Sequence, residues 1–115
     1  MIKDSLNIIK VGGAIVENEE SLQGLLMSFS SLRDRKILVH GGGKIATEVA
    51  AKLGVETQMI DGRRITSAEM LKVVTMVYGG LVNKNLVARL QALGVNAIGL
   101  TGADLNLIMS VKRPV

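Results

Sequence analysis

An α/β fold, a three-layer sandwich with a largely parallel central sheet, is predicted by three observations on this sequence. Short apolar runs alternate with longer amphipathic ones, the pattern of strands alternating with helices. The central short run is continuously apolar, as a strand covered on both faces is. Two of the runs end in glycines, at Gly12-Gly13 and at Gly41-Gly42-Gly43, where a strand must turn sharply into the next element.

Each element is justified by its own residues. Leu6–Val11 is an apolar strand closed by the first glycine pair. Residues 18–32 form a helix, with Leu22, Leu25, Leu26 and Phe29 at helical spacing and acidic residues near its start. Residues 36–39 are the buried strand that enters the second glycine turn, and residues 43–53 the helix after it, ended by Gly54. A third strand is expected over residues 55–60, then a turn at Asp61-Gly62. Ser67 caps a long helix reaching Leu93, with Gly94 beyond it. Gly79-Gly80 interrupts that helix and points to a kink or to close packing there. Further strands are expected over residues 95–100 and 107–111. The long helix is apolar on more than one side, so it is either a central core helix or packs partly on a second subunit. The apolar run ending in Lys112-Arg113-Pro114-Val115 has no closing helix, as in a chain cut within a larger protein.

Composition narrows the function. With 48% hydrophobic residues but 2% aromatics, the core must be aliphatic. The net charge of +4 is spread along the chain, and few rings are present to stack on bases, which speaks against nucleic acid. There is no cysteine and one histidine, so thiolate and histidine-cluster metal sites are excluded. No apolar run approaches the ~18–20 residues that span a bilayer, and no secretory leader is visible, so no membrane partner is expected and the cytoplasm is the expected compartment.

The chemistry lies in the glycine turns. Backbone amides free of Cβ, at a helix N-terminus, hold phosphate or carboxylate. Gly43-Lys44-Ile45 fails the P-loop pattern, whereas Gly41, Gly43 and Ala46 satisfy a dinucleotide fingerprint, with Asp61 at a suitable distance for a ribose. That alternative leaves Lys10 and Gly12-Gly13 without a task. A lysine near the end of one strand and glycine turns after two strands of one parallel sheet suit phosphoryl transfer, where charge stabilisation does most of the work. Arg63 and Arg64 precede the long helix, where a guanidinium can grip a carboxylate through a planar fork. No nucleophile–base pair is evident. A carboxylate nucleophile needs none, since it is already ionised at neutral pH. His40 reads as a buried, hydrogen-bonded strand residue.

The ordered set Ile9-Lys10-Val11-Gly12-Gly13, Val39-His40-Gly41-Gly42-Gly43, Gly62-Arg63-Arg64-Ile65-Thr66, Asn83-Lys84 and Gly99-Leu100-Thr101-Gly102-Ala103-Asp104 resembles the N-acetylglutamate kinases, within the wider amino acid kinases. The resemblance runs along essentially the whole chain and implies the N-terminal half of such an enzyme: residues 1–115 as an acyl-amino-acid-binding and dimerisation domain, without the ATP-binding domain. It implies transfer of the γ-phosphoryl of ATP, with Mg2+, to the side-chain carboxylate of N-acetyl-L-glutamate in arginine biosynthesis. Lys10 would stabilise the transferring group, assisted by the amides of Gly12 and Gly13. Gly42 and Gly43 would hold the substrate, and Arg64, directly before Ile65-Thr66, would clamp its α-carboxylate. A homodimer through this half is implied as well, and the fragment alone is expected to be inactive. Kinases of N-acetyl-aminoadipate or N-succinylglutamate, a dinucleotide-binding domain, and a ligand-binding or dimerisation module without catalysis are the alternatives.

Overall fold

The computed structural model describes residues 4–114. Two parallel strands form the main sheet: β1 (Leu6–Val11) and β2 (Arg35–His40), paired from Leu6 opposite Arg35 to Val11 opposite His40. A short α1 (Gly13–Glu17) and a longer α2 (Glu19–Ser31) make the crossover between them. The Asn18 side chain accepts from the Ser21 amide at 2.8 Å and caps α2, with Glu19 and Glu20 in the first turn opposing the positive end of the helix dipole. At its other end Lys36 donates to the carbonyls of Phe29, Ser30 and Leu32 at 2.9, 3.1 and 2.6 Å, with its ammonium 5.1 Å from the Phe29 ring centre. One member of the basic group Arg33–Lys36 is therefore spent on a helix terminus.

After β2 the chain enters α3 (Gly43–Lys52), which stops at Leu53 and Gly54, the latter at φ 71°. The expected third strand shortens to β3 (Gln58–Ile60) and forms an antiparallel hairpin with β4 (Arg63–Ile65), a strand that the sequence pattern does not announce. Asp61 and Gly62, with φ of 49° and 73°, make the two-residue turn whose twist suits a hairpin. Ser67 then accepts from the Met70 amide at 3.1 Å and caps the long helix, as its residue type predicts. That helix is α4 (Ala68–Val74), a π-bonded stretch (Thr75–Val82) and α5 (Asn83–Ala92) in one continuous rod. Gly79-Gly80 sits inside the widened stretch, so the glycines neither end the helix nor break it.

An aliphatic core lies between α2, α3, the long helix and one face of the sheet. Leu22, Leu26, Phe29, Ala46, Ala50, Met70, Val73, Val77, Val82, Leu86 and Leu90 are buried in it, with Ile9 and Leu38 packed against them. The opposite sheet face carries Leu6, Ile8, Ile37 and Val39 exposed.

The strands expected over 95–100 and 107–111 do not form. Residues 95–101 join no ladder, and a 3-10 turn at Asp104–Asn106 precedes an irregular tail. Strand-like composition is insufficient without a neighbouring backbone to pair with. Side chains of α5 hold residues 97–100 instead: Gln91 donates to the Ala97 carbonyl at 3.1 Å, Lys84 to Gly99 at 2.9 Å, and Asn83 to Leu100 at 3.3 Å.

Candidate functional site

Parallel pairing decides where the two glycine turns meet. Val11 stands opposite His40, so Gly12 and Gly41 leave the sheet side by side at its carboxyl edge, where open α/β sheets receive ligands. Gly12 caps α1 and Gly42 caps α3, and both caps lack a side-chain acceptor for the helix amides. The two helices are tied together by Lys44 and Glu17 at 3.3 Å. Lys10 projects from the open face of β1, paired in register with Val39, and is exposed.

Arg64 reaches the second turn from β4. Its Nη2 donates to the Gly43 carbonyl at 2.7 Å and to Thr47 Oγ1 at 2.9 Å, and Nη1 stands 3.8 Å from Met70 Sδ. A guanidinium is thus fixed at the first turn of α3, beside amides that attract anions. Arg63, its sequence neighbour, makes no such contact and is exposed. Gly42, Gly43 and Arg64 therefore come together, and Gly12 and Gly13 stand on the adjacent strand end. Lys10 approaches from the sheet's other face.

Two residues near the site carry little signal in the sequence. Tyr78, on the π-bonded stretch, brings its hydroxyl to 3.2 Å from where a Cβ on Gly43 would stand. Its one sequence signal is that it is the single tyrosine of the chain, within a helix that has no other aromatic residue. Asn83, singled out with Lys84 but given no task, is the one polar side chain among the described residues that is buried, at 6% exposure. Its amide donates to His40 Nε2 at 3.1 Å and accepts from Lys84 Nζ at 2.9 Å. Close packing around it depends on glycine. A Cβ on Gly99 would run into Asn83 Oδ1 and stand 2.8 Å from a Val87 methyl, and one on Gly79 would stand 3.2 Å from Thr101.

The turn after Gly99 is also ordered by charge. Asp104 accepts from the Thr101 amide at 2.6 Å and from its hydroxyl at 2.9 Å. The backbone hydrogen bond from Thr101, then its hydroxyl, and more distantly the Lys84 ammonium hold the Asp104 carboxyl below its ordinary range.

Other chemistries fit less well. Asp61 lies in a hairpin turn between antiparallel strands, not at the end of a strand parallel to β2, so the acid that a dinucleotide fingerprint requires is misplaced. Basic residues are locally engaged: Arg35, Lys44, Lys72 and Arg89 pair with Asp4, Glu17, Glu69 and Glu19. Among the described residues no three His, Cys, Asp or Glu side chains stand together as a metal site needs, and no helix is long and apolar enough to cross a membrane. Concavities of about 310 and 490 Å³ lie at residues 54–69 and 102–110 and touch neither glycine turn, while at the turn itself Gly42 is buried and Gly43 and Arg64 are half-buried.

Residues 5–113 match the model of the amino acid kinase family. The chain is 68% identical over 114 residues to an acetylglutamate kinase of Phocaeicola vulgatus, covering 99% of this chain and 44% of that protein. It is 43% identical over 108 residues to an acetylglutamate kinase of Methanopyrus kandleri, covering 94% of this chain and 41% of that one. Among solved structures, the crystal structure of smu.665 from Streptococcus mutans UA159 superposes with a TM-score of 0.65 at 26% identity, over 78% of this chain and 37% of the other. The chain spans less than half the length of the curated relatives it matches.

Proposed function

This chain belongs to the amino acid kinase family, and from that premise we propose that it is the acyl-amino-acid-binding half of an acetylglutamate kinase. The substrate is N-acetyl-L-glutamate and the co-substrate is MgATP. An oxygen of the side-chain carboxylate attacks the γ-phosphorus, the bond from that phosphorus to the β-bridging oxygen breaks, and ADP leaves as the acyl phosphate forms. No base is required, since the attacking carboxylate is ionised at neutral pH. The protein's task is alignment and compensation of charge.

The observation that carries this reading is Arg64 anchored on the Gly43 carbonyl at 2.7 Å, which sets a forked cation beside the amides of Gly42 and Gly43. The α-carboxylate of the substrate sits against Arg64, and its remaining oxygens against the two glycine amides. Amides of Gly12 and Gly13, one strand away, receive the phosphoryl group, and Lys10 offsets its charge. The names of the curated relatives support the same assignment. Residues that the longer relatives have beyond this span supply most of the nucleotide pocket in this reading.

Homodimerisation through this half belongs to the same proposal. Leu71, Met76 and Leu81 remain exposed on the long helix although its inner side is fully buried, and a second copy of that helix would cover them. Light scattering checks this point, since a monomeric mass for a protein of the relatives' length would refute it.

Hydroxamate trapping of the acyl phosphate tests the activity. A polypeptide of the relatives' length carrying this sequence is expected to turn over N-acetyl-L-glutamate with ATP, and the 115-residue chain to show none. Arg64→Lys should raise KM by about tenfold or more, since a single ammonium cannot keep the anchor on Gly43 and Thr47 and also present a separate nitrogen to the carboxylate. Turnover by the short chain, or an unchanged KM in the lysine variant, would overturn the assignment.

A further inference from the structure

Asn83-Lys84 and the Gly99–Asp104 stretch are motifs that the proposed reaction leaves without a task. They are joined by one hydrogen-bond network, and the directions of its bonds can be worked out. Lys84 Nζ has only protons to give, and it contacts Asn83 at 2.9 Å, so the atom facing it is the amide oxygen. The amide nitrogen then faces the Leu100 carbonyl at 3.3 Å and His40 Nε2 at 3.1 Å. Turning the amide over would set its oxygen against a carbonyl and its NH2 against an ammonium, so both neighbours enforce one orientation. His40 Nε2 must therefore accept. The single proton of the neutral ring then lies on Nδ1, which stands 2.8 Å from the Gly41 carbonyl, an acceptor.

The chain of bonds continues into the backbone. No peptide bond among the described residues is cis. In a trans peptide the carbonyl of Gly41 and the N–H of Gly42 point in opposite directions. Holding the Gly41 oxygen against the imidazole thus turns the Gly42 N–H away from it.

We propose that Asn83 is a positioning residue for the substrate site: it selects the Nδ1–H form of His40, and the ring in turn orients the Gly42 amide. Lys84 and the Leu100 carbonyl act one step earlier, by setting the Asn83 amide. The network also explains why glycine stands at 99, because a side chain there would occupy the space of Asn83 Oδ1. The consequence for binding rests on the proposed function, in which the Gly42 amide holds an oxygen of an N-acylated amino dicarboxylate. The tautomer itself does not rest on it.

Nitrogen NMR of the chain, without ligand, reads the ring directly. A protonated Nδ1 and an unprotonated Nε2 are expected, and the opposite pattern overturns the proposal whatever the substrate proves to be. Asn83→Asp then presents two acceptors, drawing the ring proton to Nε2. Its expected signature is an exchanged pair of ring nitrogen resonances and a displaced Gly42 amide resonance, with the helical circular dichroism retained. In a His40→Asn background, where the side-chain amide replaces Nδ1–H, Asn83→Asp should leave the Gly42 amide in place. Equal displacement in both backgrounds would show that the coupling does not pass through the ring. Titration with N-acetyl-L-glutamate completes the test, with about tenfold weaker binding expected for Asn83→Asp, the equivalent of one hydrogen bond to a charged group. A Gly42 amide that tracks the His40 tautomer but does not respond to N-acetyl-L-glutamate supports the network and removes the substrate reading.

Discussion

The β1–β2 pair and residues 95–101 have similar compositions and different fates. Both are short apolar stretches that run into a glycine-containing turn. In the first, each strand supplies the other's backbone partners over six residues in parallel register. In the second, no ladder forms, and Gln91, Lys84 and Asn83 of α5 supply donors to its carbonyls instead. The ladder tolerates many side chains because its bonds come from the main chain. The segment 95–101 depends on three particular side chains and on the absence of a Cβ at Gly99. Both regions bury apolar side chains, Val95 and Ala97 included, but the first adds a backbone ladder and the second adds specific side-chain contacts.

This contrast can be broken at its stronger end first. Leu26 is fully buried under β1–β2 and among the helices, and Leu26→Ala should cost about 2–5 kcal/mol of global stability, read from urea unfolding. A loss below about 1 kcal/mol would mean that the core is not what holds this region. Next in size is Gly99→Ala, which forces a methyl onto Asn83 and Val87. About 1–3 kcal/mol is expected, together with loss of the His40 ring signature, because overpacking must displace the very amide that sets it. Met109, at 81% exposure, belongs to the same apolar-looking C-terminal stretch but touches little. Met109→Ser should change stability by no more than about 0.5 kcal/mol, which would confirm that the run is apolar without being core.

The smallest effect is local. Asp104 is held below its ordinary range by the Thr101 amide, so its contribution is present above the unfolded carboxyl value and is lost as pH falls through the lower folded one. The Thr101 amide resonance should move in acid below the ordinary aspartate range, about pH 4, with no change in the cooperative unfolding of the rest. A titration of that amide at or above the ordinary value would show that the turn is not held by this carboxylate.

Much of the fold is legible in the sequence because local signals and burial agree. Leu6–Val11 is the strand the apolar run predicts, Ser67 and Gly54 mark helix ends by their own chemistry, and Asp61-Gly62 is a turn by residue type. Residues 107–111 mislead for the reason that separates the two regions compared at the outset: apolarity announces a wish for burial, and pairing depends on what lies alongside. The hairpin at Arg63–Ile65 escapes notice because three residues are too few to show a period. The short α1 escapes it because Asn18 separates it from α2 after a single turn. At the site, the glycine turns can be found from sequence since backbone amides need bare backbone. The direction of the Asn83 amide cannot, because it is set by Lys84 and by Leu100, 17 residues further on.

The open face of the sheet bears on how such a chain behaves in a test tube. Leu6, Ile8, Ile37 and Val39 form an adhesive patch, and the register places a cation at each end of it, Arg35 beside Leu6 and Lys10 beside Val39. Arg35 is paired with Asp4 at 3.3 Å, which leaves Lys10 as the charge that sets like against like when two copies meet face to face, the way exposed apolar strands are kept from clumping. Lys10 is therefore expected to aid solubility as well as to serve as the proposed partner of the phosphoryl group. Replacing it with a neutral side chain removes that charge, so a Lys10 variant that has lost activity must first be shown to remain dispersed before the loss is charged to chemistry.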